Sequence, residues 1–266
     1  MTGDRRLVGN IILSVVIYLA IQAAIVVVSI GLSPALHRPF VWFLPATVGL
    51  HAAMGIFLLY RRSDLRHTET GEAFSAINGA THLTLLRLSF TPTILLLAVA
   101  VSDGYRVGPV LIGVVVAAFL SDFLDGQVAR RLNQTTEMGK YLDSSTDYAV
   151  LLVLAVALVV LGITPVWYFG VLTFRLVGFA VAMVFLTRVQ GHVRAETTFL
   201  GKAAIFSAMT TYAFEIAGYV GLRGIGDPRV VLVVEIVSAA IVGVSMIDKW
   251  IYLRRRFREV GHHQAR

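Results

Sequence analysis

Cysteine is absent from the 266 residues and charge is scarce: 15% of positions are charged, 57% are hydrophobic, and mean hydropathy is +0.77. Without cysteine there are no disulfides, zinc–thiolate sites or thiol nucleophiles. A soluble domain carries about 25% charged residues, so this chain cannot hide its apolar surface in one core and keep a wettable exterior. A soluble globular enzyme and a disordered chain are both excluded. Ten-residue segments of alternating polarity are also missing, which argues against a transmembrane β-barrel. The expectation is an all-α integral membrane protein that crosses the bilayer several times. The net charge of +7, from 23 Lys and Arg against 16 Asp and Glu, points to topology and contact with anionic membrane lipid, not to nucleic acid.

What is present is a series of long apolar runs. The uncharged run Leu7–Leu32 is too long for the apolar core of a signal peptide and reads as a helix. Further spans are expected at Phe40–Tyr60, His82–Val101, Val107–Arg131, Asp143–Leu161, Pro165–Thr187, Lys202–Gly221 and Val230–Tyr252, which makes eight. With the N-terminus placed in the cytoplasm, seventeen Lys and Arg residues fall on the cytoplasmic side and four on the other (Arg38, Arg106, Arg223 and Arg229). Arg87 and Arg175 fall within spans. This asymmetry predicts N-in, C-in topology. The chain divides into a two-helix N-terminal extension (1–60), a polar juxtamembrane segment (61–80), a six-helix core (81–252) and a basic tail (253–266). No internal repeat or low-complexity tract stands out.

One polar segment carries chemistry. It reads Asp122-Phe123-Leu124-Asp125-Gly126-Gln127-Val128-Ala129-Arg130, then eight residues, then Gly139-Lys140-Tyr141-Leu142-Asp143, with Asp147 four further on. Asp122 and Asp125 share one helix face, as do Asp143 and Asp147 on the next helix. A turn over Leu132–Met138 makes the two helices antiparallel neighbours, so the four carboxylates can converge at one depth. Charge near a bilayer is costly unless compensated. Two divalent cations would balance four carboxylates, and all-oxygen ligation suits Mg²⁺ or Mn²⁺. Two-metal carboxylate sites recur in displacement at phosphorus. Gly126 and Ala129 would let a bulky ligand approach the backbone, and Arg130 would meet a phosphate. Each also has a plainer reading: small residues at this spacing mark helix packing, and Arg130 alone is a positive-inside flank.

The segment resembles the signature of the CDP-alcohol phosphatidyltransferase family, D-x2-D-G-x2-A-R-x8-G-x3-D-x3-D. It is filled without departure by Asp122, Asp125, Gly126, Ala129, Arg130, Gly139, Asp143 and Asp147. The resemblance covers about residues 78–252, with the motif between the second and third core helices. It implies transfer of a phosphatidyl group from a CDP-linked lipid such as CDP-diacylglycerol to an acceptor hydroxyl, with release of CMP, at the cytoplasmic face. By the same resemblance, Asp122, Asp125, Asp143 and Asp147 bind the metal ions, and Asp147 also acts as the base. Gly126, Ala129 and Arg130 cradle the cytidine diphosphate. A homodimer is compatible with the resemblance. A prokaryotic plasma membrane is the expected location.

Other features resemble the family less closely. Leu83-Thr84-Leu85-Leu86-Arg87 followed by Pro92 is similar to its first core helix, with Thr81 where Asn is common. Arg87 reads equally as a substrate-facing cation or as a side chain reaching for the interface, and Pro92 as a kink. Arg175 and the Gly201-Lys202 pair resemble cations that hold a phosphorylated acceptor, which favours glycerol 3-phosphate. Inositol phosphate, inositol and serine are the alternatives. The family's Gly-Lys-x-Lys-Thr is here Gly201-Lys202-Ala203-Ala204-Ile205, without the second Lys and the Thr. Arg188 and Arg194 read as topological flanks, and Glu215 and Glu235 as partners of each other or of Arg175. Two other classes fit less well. An intramembrane prenyltransferase needs two Asp-rich motifs far apart in sequence. A divalent-cation transporter needs repeat-related broken helices with ionisable groups near the midplane.

Overall fold

The computed structural model describes residues 2–68, 70–132, 136–190, 198–222 and 224–264, with side chains left out for 2–3, 38–39, 137, 140, 183–190, 252–253 and 255–264. Arg194, Arg223, the turn residues Asn133, Gln134 and Thr135, the side chains of Arg188 and Lys140, and most of the basic tail's side chains therefore lie outside the described residues. The architecture is all-α: α1 (Thr2–Leu32), α2 (His37–Tyr60), α3 (Gly79–Ser102), α4 (Gly108–Arg131), α5 (Glu137–Val160), α6 (Val166–Gln190), α7 (Phe199–Tyr219) and α8 (Pro228–Gln264). Two short 3₁₀ turns, Pro34–Leu36 and Arg62–Asp64, lie before and after α2. Among the described residues there is no strand, only two isolated bridges.

Six helices are long and apolar enough to cross a membrane, over Asp4–Leu32, Phe40–Tyr60, Gly79–Ser102, Gly108–Arg131, Tyr141–Val160 and Pro228–Ile251. Val166–Ala182 in α6 is a shorter apolar stretch. The expected seventh span coincides with α7, which carries Lys202 and Glu215 and is not among the six. Helices suit this composition because each satisfies its own backbone hydrogen bonds where water is absent. Several polar side chains lie inside among the buried apolar ones, while many large apolar side chains face outward. Gln22, His51, Ser89 and Arg87 are buried, whereas Ile12, Val28, Ile56, Phe174, Val233 and Ile247 face outward. Pro92 sits inside α3 and cannot donate to the carbonyl four residues back. The Thr91 hydroxyl donates to that carbonyl, Leu88 O, at 2.8 Å, so the helix accommodates the proline without an orphaned acceptor.

The chain divides into two compact units, residues 1–157 and 158–266. In the first, α1 and α2 pack on α3, and α3 packs on α4. A buried apolar cluster joins Leu7 and Ile11 of α1, Leu58 of α2, Leu85 of α3, and Met138 and Leu142 of α5. A polar seam runs beside it. Gln22 Nε2 donates to Ser89 Oγ at 2.8 Å, His51 Nε2 lies 2.9 Å from the same oxygen, and Tyr18 OH lies 2.5 Å from His82 Nδ1. The N-terminal pair is thus stitched to α3. The polar segment after α2 is also packed: Leu65 and Ile77 belong to the apolar cluster, and His67 is bridged to Thr136 at the start of α5.

In the second unit, α8 packs on α6 and α7. Buried Arg175 on α6 donates through Nη2 to Gly201 O at 3.0 Å and to Ser245 Oγ at 3.3 Å. Glu215 and Glu235 lie close enough to influence one another, and the Thr164 hydroxyl donates to Glu215 Oε2 at 2.5 Å. Of the two partners open to Glu215 by sequence, Glu235 is the neighbour, and among the described residues no ion pair joins either glutamate to Arg175.

Candidate active site

α3, α4 and α5 build the site. Asn78 caps α3 by accepting from Thr81 N at 2.8 Å. The Thr136 hydroxyl accepts from Gly139 N at 2.9 Å at the start of α5, as an N-cap residue does three positions before its partner. A Cβ at Gly139 would stand 2.9 Å from Thr136 Oγ1 and 3.5 Å from Thr81 Oγ1. Glycine is therefore what allows the capping hydroxyl to come this close. The same Thr-x-x-Gly-Lys pattern opens α7, where Thr198 Oγ1 accepts from Gly201 N at 3.1 Å.

The four motif aspartates come together. Asp122, Asp143 and Asp147 each turn a carboxylate oxygen to a common place, where these oxygens lie within 4.8 Å of one another. Asp125, buried beside them, accepts from the Thr84 hydroxyl at 3.1 Å. Only oxygen donors are offered, in a geometry that fits a hard divalent cation.

At the centre of this group lies Arg87, which has no exposed surface. Its guanidinium is ion-paired with Asp122, with Asp125 Oδ2 at 3.4 Å, with Asp143 Oδ1 at 3.1 Å and with Asp147 Oδ1 at 3.0 Å. Sequence alone left Arg87 undecided between substrate and interface. It is instead the basic partner of all four motif carboxylates. The available signal was one unexplained arginine in an apolar run, but nothing local tied it to residues 35 to 60 positions away.

Beside the aspartates opens a cleft of about 210 Å³, lined among others by Thr81, Thr84, Gly126, Ala129, Arg130 and Gly139. The two small residues on α4 thus border open space. Arg130 is exposed and folds back over Gly126, where a Cβ would stand 3.4 Å from its Nη1. Thr81 is 1% exposed and its hydroxyl has no hydrogen-bond partner. Thr81 and Thr84 stand out in the sequence only through the likeness to the family's first core helix, and Thr136 only as part of a polar turn. Arg175 and Lys202 lie in the second unit. Arg175 is buried and bonded to protein groups, whereas Lys202 is exposed.

A helical membrane protein whose clustered carboxylates border a small-residue cleft is the class that fold and site define. The chain belongs to the CDP-alcohol phosphatidyltransferase family, whose model matches residues 77–248, about two thirds of its length. The match begins just before α3, so α1 and α2 precede it. The chain is similar to a cardiolipin synthase (CMP-forming) of Streptomyces coelicolor, 39% identical over 97 residues that cover 36% of this chain and 44% of that protein. It is similar to archaetidylinositol phosphate synthase of Methanothermobacter thermautotrophicus, 32% identical over 177 residues, 63% of this chain and 83% of that protein. It also resembles CDP-diacylglycerol–glycerol-3-phosphate 3-phosphatidyltransferase of Treponema pallidum, 32% identical over 134 residues, 45% of this chain and 59% of that protein. The chain thus spans less than half of the Streptomyces relative and about three fifths of the Treponema one. No solved structure matches it significantly.

Proposed function

We propose that this protein transfers a phosphatidyl, or similar phospho-alcohol, group from a CDP-alcohol such as CDP-diacylglycerol to an acceptor hydroxyl and releases CMP. The observation that carries this reading is the convergence of Asp122, Asp125, Asp143 and Asp147 from two helices beside a cleft bordered by Gly126 and Ala129. The four aspartates would hold two Mg²⁺ or Mn²⁺ ions. When bound, such ions supply charge neutralisation at phosphoryl oxygens. Asp147, partly accessible beside the other three, takes the proton of the acceptor hydroxyl. The acceptor oxygen then bonds to the phosphorus that carries the lipid alcohol, and the bond from that phosphorus to the CMP oxygen breaks. Gly126 and Ala129 leave room for the nucleotide diphosphate, and Arg130 pairs with it.

The distribution of Lys and Arg supports N-in, C-in topology with the site at the cytoplasmic face of a prokaryotic plasma membrane. The family match over 77–248 supports reading 81–252 as the catalytic core, preceded by the 1–60 extension and the 61–80 segment. A CDP-linked lipid, a small alcohol and bilayer lipid are the partners, and the family's habit is compatible with a homodimer.

Glycerol 3-phosphate is the first acceptor, read from Lys202 and Arg175, and the name of the Treponema relative agrees. Arg175 donates to Gly201 and Ser245, whereas Lys202 is exposed, which favours Lys202 as the cation for the acceptor's phosphate. A second reading, a lipid-borne hydroxyl as in cardiolipin synthesis with CMP formation, is favoured by the name of the Streptomyces relative. Inositol phosphate, which the Methanothermobacter name suggests, inositol and serine follow. The test is CMP release by purified protein from CDP-diacylglycerol and Mg²⁺, with each acceptor supplied alone. Release with one acceptor and not the others names it. No release with any, in Mg²⁺ or Mn²⁺, would overturn the proposal.

A further inference from the structure

A buried guanidinium is stable only when its charge is matched and its donors are used. Arg87 meets neither condition in an ordinary way. Among the described residues it is the one cation ion-paired with the four carboxylates, whose four formal negative charges exceed its own by three. Neither its Nε nor its Nη1 makes a hydrogen bond of sound geometry. Its head is therefore held chiefly by charge, and releasing it breaks few other bonds. Three of the residues it holds, Asp122, Asp143 and Asp147, are the same three whose oxygens converge as cation ligands. A carboxylate oxygen cannot offer the same lone pairs fully to a guanidinium and to a metal ion.

We infer that Arg87 is an exchangeable counter-ion. It gathers the four aspartates when divalent cations are scarce, and loading of the site requires its guanidinium to give up Asp122, Asp143 and Asp147. The inference rests on the reading of the four aspartates as a metal site. It assigns Arg87 a positioning role that opposes metal affinity while preserving the carboxylate cluster. Four clustered carboxylates, of which Asp125 is buried and the others partly exposed, would repel one another without any cation and push α4 from α5. Arg87 prevents this, and its departure on loading sets the cation concentration at which the site becomes competent.

The test is Mn²⁺ binding by calorimetry to the purified full chain in detergent, without CDP-lipid, alongside thermal unfolding with and without Mn²⁺. Arg87→Gln is expected to tighten Mn²⁺ binding by at least about tenfold, because a competing unit charge a few ångströms away is removed. Its unfolding midpoint without divalent cation is expected to fall below the wild-type value, and the gap to close at saturating Mn²⁺. Unchanged or weaker binding in Arg87→Gln overturns the inference, since Arg87 would then be orienting the ligands and not competing with the metal. Asp143→Asn keeps the two layers apart. If Mn²⁺ binding is insensitive to that change, the metal-site reading itself fails, whatever Arg87→Gln does. Should Arg87→Gln not yield folded protein, Arg87→Gln/Asp125→Asn removes one charge of each sign. It is compared with Asp125→Asn under the same two outcomes.

Discussion

The Arg87 guanidinium lies 3.0 Å from Asp147 and 3.1 Å from Asp143, two carboxylates one turn apart on α5. The same group reaches Asp122 and Asp125 on α4. One α3 side chain therefore ties the two acidic helices together through their carboxylates.

Asp147→Asn keeps the shape of the side chain but removes its capacity to accept a proton. CMP release is expected to fall by about 10²- to 10⁴-fold, while Mn²⁺ binding persists through Asp122, Asp125 and Asp143. Single-turnover CMP release measured beside Mn²⁺ calorimetry checks this. Normal turnover in Asp147→Asn would remove the base assignment.

Lys202 is exposed at the start of α7, next to the glycine whose carbonyl Arg175 holds. If it meets the acceptor's phosphate, Lys202→Ala raises KM for glycerol 3-phosphate far more than KM for CDP-diacylglycerol. Steady-state kinetics with each substrate varied in turn checks this. Equal effects on both would remove the argument for a phosphorylated acceptor.

Gly139→Ala places a methyl group 2.9 Å from the Thr136 hydroxyl that caps α5. Loss of such a cap costs about 1 kcal/mol, and the same methyl comes into contact with Thr81, which lines the cleft, so a shift of the α5 start is felt there. The expected result is a lower unfolding midpoint together with a raised KM for the CDP-lipid. Thr136→Ala removes the cap without adding bulk, so it is expected to lower the midpoint while changing that KM less.

The N-terminal pair is expected to be needed for the fold of the first unit, although it lies outside the family match. Ser89→Ala leaves Gln22 Nε2 and His51 Nε2 without their shared partner. A lost interhelical bond in a membrane protein costs about 0.6–2 kcal/mol, read as a lower unfolding midpoint in detergent. Deletion of residues 1–60 removes both the seam and the α1 and α2 part of the apolar cluster. It is expected to abolish folded, Mn²⁺-binding protein. A truncated chain that still binds Mn²⁺ would show the pair to be dispensable.

Much of this was legible in the residues themselves. Runs of about twenty apolar positions can satisfy their backbones in a bilayer only as helices, so α1 to α6 and α8 follow from hydropathy, and α7 from the stretch around Lys202. The i,i+3 and i,i+4 spacings place Asp122 with Asp125 and Asp143 with Asp147, because 3.6 residues per turn is a local property of the chain. The short polar link between α4 and α5 then brings the two pairs to one depth. Tertiary structure alone decided which face α3 turns toward them. Arg87 meets the aspartates while Ser89, two positions on, meets Gln22 and His51. Helix rotation depends on the summed packing of many side chains from distant parts of the sequence, and no periodicity along α3 encodes it. The same reason explains why Glu215 neighbours Glu235, and why Leu65 and Ile77, in a segment of polar composition, are buried in the first unit's core.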